Sequence, residues 1–201
     1  MRFFPALLAA LLLTACSDSR VPSAKDDAPE APPAPITGRQ AFQYTYGAAR
    51  LWAPDSQPLT IRSANLAGVQ PEKGKAAAWE VVFVSPSMAR ARGYTWSAVE
   101  TSGWHKGVFP GQQGSWNAGG PQRPFSVAAI KIDTPEALEI ATKASGEYLS
   151  KPGKRPPVSF HMEQAGRFQM PVWHVLWGGT VSSAEYFVTI DAATGTVVGM
   201  N

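Results

Sequence analysis

The chain has 201 residues, a formal net charge of +3 and a single cysteine. One cysteine excludes an intramolecular disulfide, so an apolar core must hold any folded domain together. Residues 37–201 are long enough for one domain or two small lobes. Their 15 Lys and Arg and 11 Asp and Glu are scattered, which is typical of a solvated surface and does not favour a nucleic-acid site.

Residues 1–15 have the pattern of an export signal. Arg2 precedes an apolar run over residues 3–13, and two small residues then lead to Cys16. The run is too short for a membrane span, which needs roughly 20 apolar residues. A positive start, a short apolar stretch and a small-residue cleavage site together predict removal by a signal peptidase.

The position of Cys16 directly after these small residues resembles the lipobox of bacterial lipoproteins. This resemblance implies that Cys16 is acylated, becomes the mature N-terminus and attaches the protein to a membrane. Because Ser17 follows the cysteine in place of aspartate, the resemblance implies an outer-membrane location facing the periplasm in a Gram-negative host. The alternative is a plain secretory signal followed by an incidental cysteine.

Residues 16–35 are predicted to form a disordered tether. Beyond the cysteine, the segment is rich in Pro, Ala, Ser and Asp, with one branched apolar residue and no aromatic. It cannot bury enough apolar surface to offset the entropy lost on ordering. Its prolines favour extended polyproline II. We therefore expect a spacer that holds a domain, beginning near Ile36, away from the membrane.

The remaining sequence contains an internal repeat. Residues 36–42 and 132–138 both show an apolar residue, a capping residue and a Gln or Glu three positions later. This capping-box signature predicts helices at 39–51 and 135–149. Three short alternating segments follow each helix, which predicts antiparallel strands. These segments are 59–61, 78–84 and 94–99 after the first helix, and 158–160, 172–177 and 186–191 after the second.

The repeated order of one helix and three strands predicts an α+β fold with two tandem units, residues 36–103 and 125–201. Each unit would consist of a helix packed on a small antiparallel sheet. Alternation places the tryptophans of the central strands against the helices. The opposite faces are also apolar, so we expect the two units to cover them by packing on each other. The residues on these second faces include Val82, Val84, Val172 and Leu176.

The second unit carries a set of motifs that extends over residues 133–198. It has an Ala-rich capped helix, a central strand around 171–175 and a closing strand that ends in an Asp-X-X-Thr-Gly turn. In that turn, Asp191 can accept backbone hydrogen bonds and Gly195 can adopt a positive φ. The combination resembles the PepSY domain, which implies a non-catalytic module that binds peptides, peptidases or other ligands. The first unit lacks the turn aspartate and is interpreted as a diverged copy.

Residues 104–124 are predicted to be a Gly- and Trp-rich connector without long regular structure. Its aromatic residues admit two interpretations, because they could fill the joint between the units or form a ligand surface. In the second case, Trp104 and Trp116 would stack on a sugar ring or a peptide side chain. The hydrogen-bonding residues would be His105, Gln112 and Asn117. A further binding mode is the addition of an extended peptide to an exposed sheet edge.

Motifs for catalysis are missing from the sequence, which has no HExxH, CxxC pair, Gly-rich phosphate loop or free cysteine nucleophile. We therefore expect a protein that is not an enzyme and that uses no cofactor or metal. His161 and Glu163 share a strand face, for which solvation is favoured over metal binding. His174 is expected to be buried and hydrogen-bonded. The alternatives to a binding module are a structural envelope-assembly factor and a glycan-acting enzyme that uses Glu80, Glu100 or Asp191.

Overall fold

The computed structural model describes residues 34–69, 72–153 and 155–201. The signal peptide, Cys16 and the tether up to residue 33 lie outside the described residues. Pro33–Asn201 forms one compact unit. Its described part contains three α-helices, a short 3-10 helix at Val127–Ala129 and eight β-strands.

Each half of the chain begins with a helix and continues into strands. The first half consists of α1 (Gly38–Trp52), β1 (Gln57–Ala64), β2 (Ala78–Ser85), β3 (Arg90–Ser97) and β4 (Gly107–Ser115). The second half consists of α2 (Thr134–Ala144), α3 (Gly146–Ser150), β5 (Val158–Glu163), β6 (Val172–Trp177), β7 (Tyr186–Asp191) and β8 (Val197–Met200). The predicted helix over 135–149 is therefore interrupted at Ser145, whose hydroxyl donates to the Ala141 carbonyl oxygen.

All eight strands form one antiparallel sheet in the order β4-β3-β2-β1-β5-β6-β7-β8. Helix α1 contacts β1 to β4, and α2 contacts β6, β7 and β8. The α+β class with an antiparallel sheet is confirmed. The halves meet through β1 and β5, where Ile61 lies opposite Met162. The expected face-to-face packing is wrong, because the two halves share a strand pairing.

The starts of α1 and α2 are capped and lie against each other. The predicted capping box of α1 is present, with Thr37 Oγ1 accepting from the Gln40 N–H and Gln40 Oε1 accepting from the Thr37 N–H. At α2, Asp133 Oδ1 accepts from the Thr134 N–H at 2.7 Å and from the Arg39 N–H at 2.9 Å. Asp133 therefore accepts from one backbone N–H at the start of each of the two helices.

The core lies between the helices and one face of the sheet. Trp79 and Trp173 are fully buried there. The Trp79 indole N–H donates to the Ile36 carbonyl oxygen at 3.0 Å, and the Trp173 indole N–H donates to the Ile132 carbonyl oxygen at 2.9 Å. Each of these tryptophans is thus hydrogen-bonded to the isoleucine that precedes the helix in its own half of the chain. Small helix residues allow this close approach and are fully buried, namely Ala41, Ala49, Ala137 and Ala141.

Strand β4 corrects the prediction of an irregular connector over 104–124. It pairs with β3 from Gly107 to Ser115, with a register shift opposite the β3 residues Arg92 and Tyr94. Its Pro110 occupies an outermost strand, the place in a sheet where a missing N–H is tolerated. A Gly- and Pro-containing strand can form here because only one of its edges is paired.

The C-terminal turn agrees with its prediction. Asp191 Oδ1 accepts hydrogen bonds from the N–H groups of Ala193 and Thr194 at 2.8 and 2.9 Å. Gly195 adopts a φ of +75°. Strands β6 and β7 also have the predicted bounds, because alternation and the flanking turn residues define them locally.

Candidate functional site

On the helix-free face of the sheet, a row of paired residues crosses all eight strands. Residues that pair across neighbouring strands project to the same face, and Trp79 and Trp173 assign the opposite face to the core. In strand order from β4 to β8, the row consists of Phe109, Thr95, Glu80, Arg62, His161, His174, Thr189 and Gly199. Near its middle, the row brings together two of the three histidines in the chain.

These two histidines and one carboxylate form what we call the histidine cluster, which consists of His161, Glu163 and His174. The Nε2 atom of His161 lies 3.8 Å from Glu163 Oε2, and the Nε2 atom of His174 lies 3.7 Å from Glu163 Oε1. Their side chains are only 12 %, 17 % and 7 % exposed in chain order. The predicted solvated face for His161 and Glu163 is therefore wrong, since both are largely buried.

Polar partners surround the histidine cluster. Gln122 Nε2 donates to Glu163 Oε2 at 2.7 Å. Arg62 Nε donates to His161 Nε2 at 3.4 Å, which requires that this nitrogen carries no proton. His174 Nδ1 lies 3.0 Å from Thr189 Oγ1, so the prediction of a buried, hydrogen-bonded His174 is confirmed.

The environment of the cluster keeps both imidazoles neutral at pH 7. Burial lowers the pKa of His161 to about 4, assisted by the charges of Arg62 and His174 and opposed by Glu163. Burial also lowers the pKa of His174, again opposed by Glu163. Within the described ranges, no group of three or more His, Cys, Asp and Glu side chains could hold a metal ion.

Two segments lie over the histidine cluster. The first contains Gln122 and Arg123 and runs from β4 towards α2. The second is the hairpin loop between β5 and β6, residues 164–171. The Arg123 N–H donates to the Gln164 carbonyl oxygen at 2.8 Å, and the Arg123 guanidinium donates to the Phe168 carbonyl oxygen. The Phe168 ring packs edge-on against His174 at 6.2 Å between centroids.

A second feature of interest is the outer edge of β4. This strand ends the sheet, and none of the described strands pairs with its outer side. Val108 and Phe109 are 37 % and 44 % exposed on it. On the helix side, the Tyr44 ring stacks on Trp96 at 6.4 Å and is itself exposed. Apolar side chains therefore border an unpaired strand.

One end of β4 has an ordered polar group beside this apolar surface. The His105 ring lies 4.1 Å from the Phe109 ring, and its Nδ1 atom is 2.8 Å from Glu100 Oε1. The Lys106 N–H donates to the other oxygen of Glu100, also at 2.8 Å. These two hydrogen bonds, the one from Lys106 first, lower the pKa of the Glu100 carboxyl. The end of the strand thus presents a fixed aromatic pair.

The ligand-binding residues predicted from the sequence lie at the two ends of β4. Trp104 and His105 precede the strand, whereas Trp116 and Asn117 follow it. Both tryptophans are half-buried. Nine residues of strand separate them, which corresponds to about 30 Å. Binding by these four residues stays a prediction, and it would take place at two separate positions. The exposed Tyr44 was missed because α1 reaches the edge only in the folded chain.

The carboxylates considered for a glycan-acting enzyme lie in different places. Glu80 lies on β2, Glu100 follows the end of β3, and Asp191 is held within its own turn. Strands β1, β5 and β6 separate β2 from β7.

Comparisons with known proteins identify the fold. The architecture is that of an eight-stranded antiparallel sheet backed on one face by helices. No family model and no curated protein matches the chain. A similar solved structure is that of a Clostridium difficile 630 protein described as a putative lipoprotein, with a TM-score of 0.53 and 12 % identity. The match covers 86 % of this chain and 95 % of that chain. At this identity the likeness establishes a shared fold alone.

The helices described here were also compared with the dimensions of a lipid bilayer. None of those within residues 34–69, 72–153 and 155–201 has the length and apolar character needed to cross a membrane.

Proposed function

We propose that this protein is a lipid-anchored envelope protein whose folded part is a non-catalytic binding module. In this proposal, Cys16 carries the lipid and residues 17–35 form a spacer. Two PepSY-like units, residues 36–103 and 125–201, build the module, and between them β4 adds an edge strand to the sheet. The lipobox pattern around Cys16 supports the anchor, and so does a similar fold in a protein described as a putative lipoprotein. In a Gram-negative host, the module would face the periplasm from the outer membrane.

The observation that carries the binding function is the unpaired edge of β4. An edge strand presents unpaired N–H and C=O groups, which can hydrogen-bond to an extended peptide as an added strand. Strand β4 spans nine residues, Gly107–Ser115, which is long enough for such a pairing. The indole hydrogen bonds to Ile36 and Ile132 support an arrangement of two tandem units. In this arrangement β4 lies at the end of the sheet.

The surroundings of β4 define the kind of segment that fits. Side chains of an added strand would alternate between the two faces of the sheet. Those on the helix side would contact Val108 and Tyr44, which are exposed. Those on the other side would contact Phe109 and His105. The proposed partner is therefore an extended segment of an envelope protein or peptide with apolar side chains on both faces.

Charge at position 108 is expected to prevent this pairing. We expect Val108→Lys to reduce capture of the partner at least about fivefold, because a lysine on a sheet edge opposes the addition of an apolar strand. Val198→Lys on β8 is the matched control, since Val198 is also 37 % exposed and lies on the opposite edge strand. The measurement is crosslinking with mass spectrometry on the native anchored protein, with a photo-crosslinking residue placed at position 112. Equal capture by both variants, or crosslinks to glycan alone, would exclude the β4 edge as a peptide site.

The lipid anchor has a separate test. We expect Cys16→Ser to abolish incorporation of labelled palmitate and to leave the signal peptide uncleaved, because the cysteine sulfur is the acceptor of the lipid. The readouts are labelling and the mass of the mature N-terminus in the native host. Ser17→Ala is the control variant, since it leaves the thiol in place. A Cys16→Ser protein that is processed normally would indicate a plain secretory signal.

A further inference from the structure

We propose that the histidine cluster is a proton-operated latch. At neutral pH, Glu163 holds Gln122 and, with it, residues 117–124 and the hairpin loop 164–171 over the helix-free face. In acid, protonation of His161 and His174 draws Glu163 away from Gln122 and releases this cover. The proposal does not depend on what the β4 edge binds.

The closed arrangement gives Glu163 one strong partner and two distant ones. Its Oε2 atom accepts from Gln122 at 2.7 Å, whereas the two imidazole Nε2 atoms lie 3.7 and 3.8 Å from its oxygens. These longer distances exceed the length of a hydrogen bond. While the imidazoles are neutral, the Glu163 carboxylate is therefore hydrogen-bonded to Gln122 and to neither imidazole.

Protonation reverses this preference. An imidazolium and a carboxylate form a charge-assisted hydrogen bond of about 2.7–2.9 Å, so Glu163 must move about 1 Å towards the histidines. The two charged donors then compete with Gln122 for the oxygens of Glu163 and weaken its bond to Gln122. The stability of the protonated cluster in the closed form then depends on the charged groups around it.

The charges around the cluster are mainly positive. Arg62 on β1 donates to His161, Arg123 lies in the cover, and Arg167 lies over the Phe168 ring in the hairpin loop. On the negative side, Glu80 of β2 lies opposite Arg62, and Asp191 of β7 is occupied by its turn. Two imidazoliums would therefore share the Glu163 carboxylate, with the Arg62 guanidinium beside His161. Opening the cover admits water, which solvates these charges.

The cover can open without loss of the core. Its contacts with the sheet and with the hairpin loop are mostly polar: Gln122 to Glu163, the Arg123 N–H to Gln164, and the Arg123 guanidinium to Phe168 and Gly166. Water can replace such hydrogen bonds when the groups become exposed. From the hairpin loop, the Phe168 ring adds an aromatic contact with His174.

Linkage determines the pH range. The closed form keeps the pKa of His161 at about 4 and lowers that of His174, mainly through burial. In the open form, exposed histidines would titrate near 6.5. Between these values the open form binds more protons, so a fall in pH favours opening. At pH 5, the open population should exceed that at pH 7.5 by about tenfold or more.

Hydrogen exchange on the full chain tests the latch. After correction for intrinsic rates, we expect exchange in residues 117–124 and 164–171 to be about tenfold faster at pH 5 than at pH 7.5, while β2 and β6 stay protected. The double variant His161→Gln/His174→Gln should lose this difference. His105→Gln should keep it, because His105 lies at the β4 end of the molecule and is exposed. A pH response that persists in the double variant would overturn the proposal.

A second measurement uses the unaltered protein and is independent of how the variants fold. In NMR titrations of the imidazole protons, we expect His161 and His174 to titrate below pH 6.5, in step with the change in exchange. Titration of both at the ordinary value would refute the latch, as would simultaneous exchange of the whole sheet at pH 5. Either result would leave the proposed binding at β4 untouched.

Discussion

Replacement of Gly74 by alanine is expected to lower the free energy of unfolding by about 3 kcal/mol or more. Gly74 has a φ of +74°, and a Cβ atom there would lie 2.3 Å from the Cα atom of Pro135 and 2.6 Å from its nitrogen. These atoms belong to the backbone at the start of α2, so the helix would have to shift. The Gly74 carbonyl oxygen also accepts from Thr134 Oγ1 at 2.5 Å. The measurement is equilibrium urea unfolding of the full chain.

Gly68→Ala provides the matched control for this prediction. Gly68 has a similar φ of +83°, but no heavy atom lies within 4 Å of the added Cβ position. This variant should show only the cost of a left-handed backbone, about 1 kcal/mol. The difference between the two variants then reports the steric contact with Pro135. Equal losses would mean that the approach of residues 72–75 to α2 does not contribute to stability.

Truncation of Trp173 to alanine is expected to cost about 3–5 kcal/mol, because a large, fully buried side chain is replaced by a cavity. Trp173→Phe separates the hydrogen bond from the packing. It should cost about 1–3 kcal/mol, because the carbonyl oxygen of Ile132 loses its indole donor. Urea unfolding monitored by circular dichroism measures both variants.

Two comparisons make this result specific. Trp79→Phe should cost less than Trp173→Phe, because the Ile36 carbonyl oxygen still accepts from the Ala76 N–H at 2.9 Å after the indole donor is lost. Trp104→Ala should cost less than about 1 kcal/mol, since Trp104 is half-buried beside the end of β4. A loss at Trp104 as large as that at Trp173 would place the β4 end in the core. A loss at Trp79 as large as that at Trp173 would contradict the role assigned to the Ala76 N–H.

The histidine cluster was harder to predict from the sequence than the helices and strands. His161 and Glu163 could be assigned to one strand face, because alternation has a period of two residues. Their burial could not be predicted, since it depends on Gln122, on Phe168 and on the pairing of β5 with β6. These partners are distant in sequence or lie in a loop without a periodic pattern.

Local patterns in the sequence were sufficient for the elements whose causes are local. The capping box at Thr37, the alternation of β6 and the turn at Asp191 each depend on residues within a few positions of one another. The α+β class with antiparallel strands follows from the order of these elements. The role of Cys16 in lipidation is likewise a prediction from its immediate neighbours.

Only the tertiary structure decided how the two halves meet and which edge remains open. Pairing of β1 with β5 makes one sheet of eight strands, an outcome that alternation cannot distinguish from face-to-face packing. The same topology turns Gly107–Ser115 into an edge strand, although its composition disfavours a strand. Both results depend on backbone hydrogen bonds between distant segments, and a side-chain pattern along the chain does not encode which segment supplies the partner.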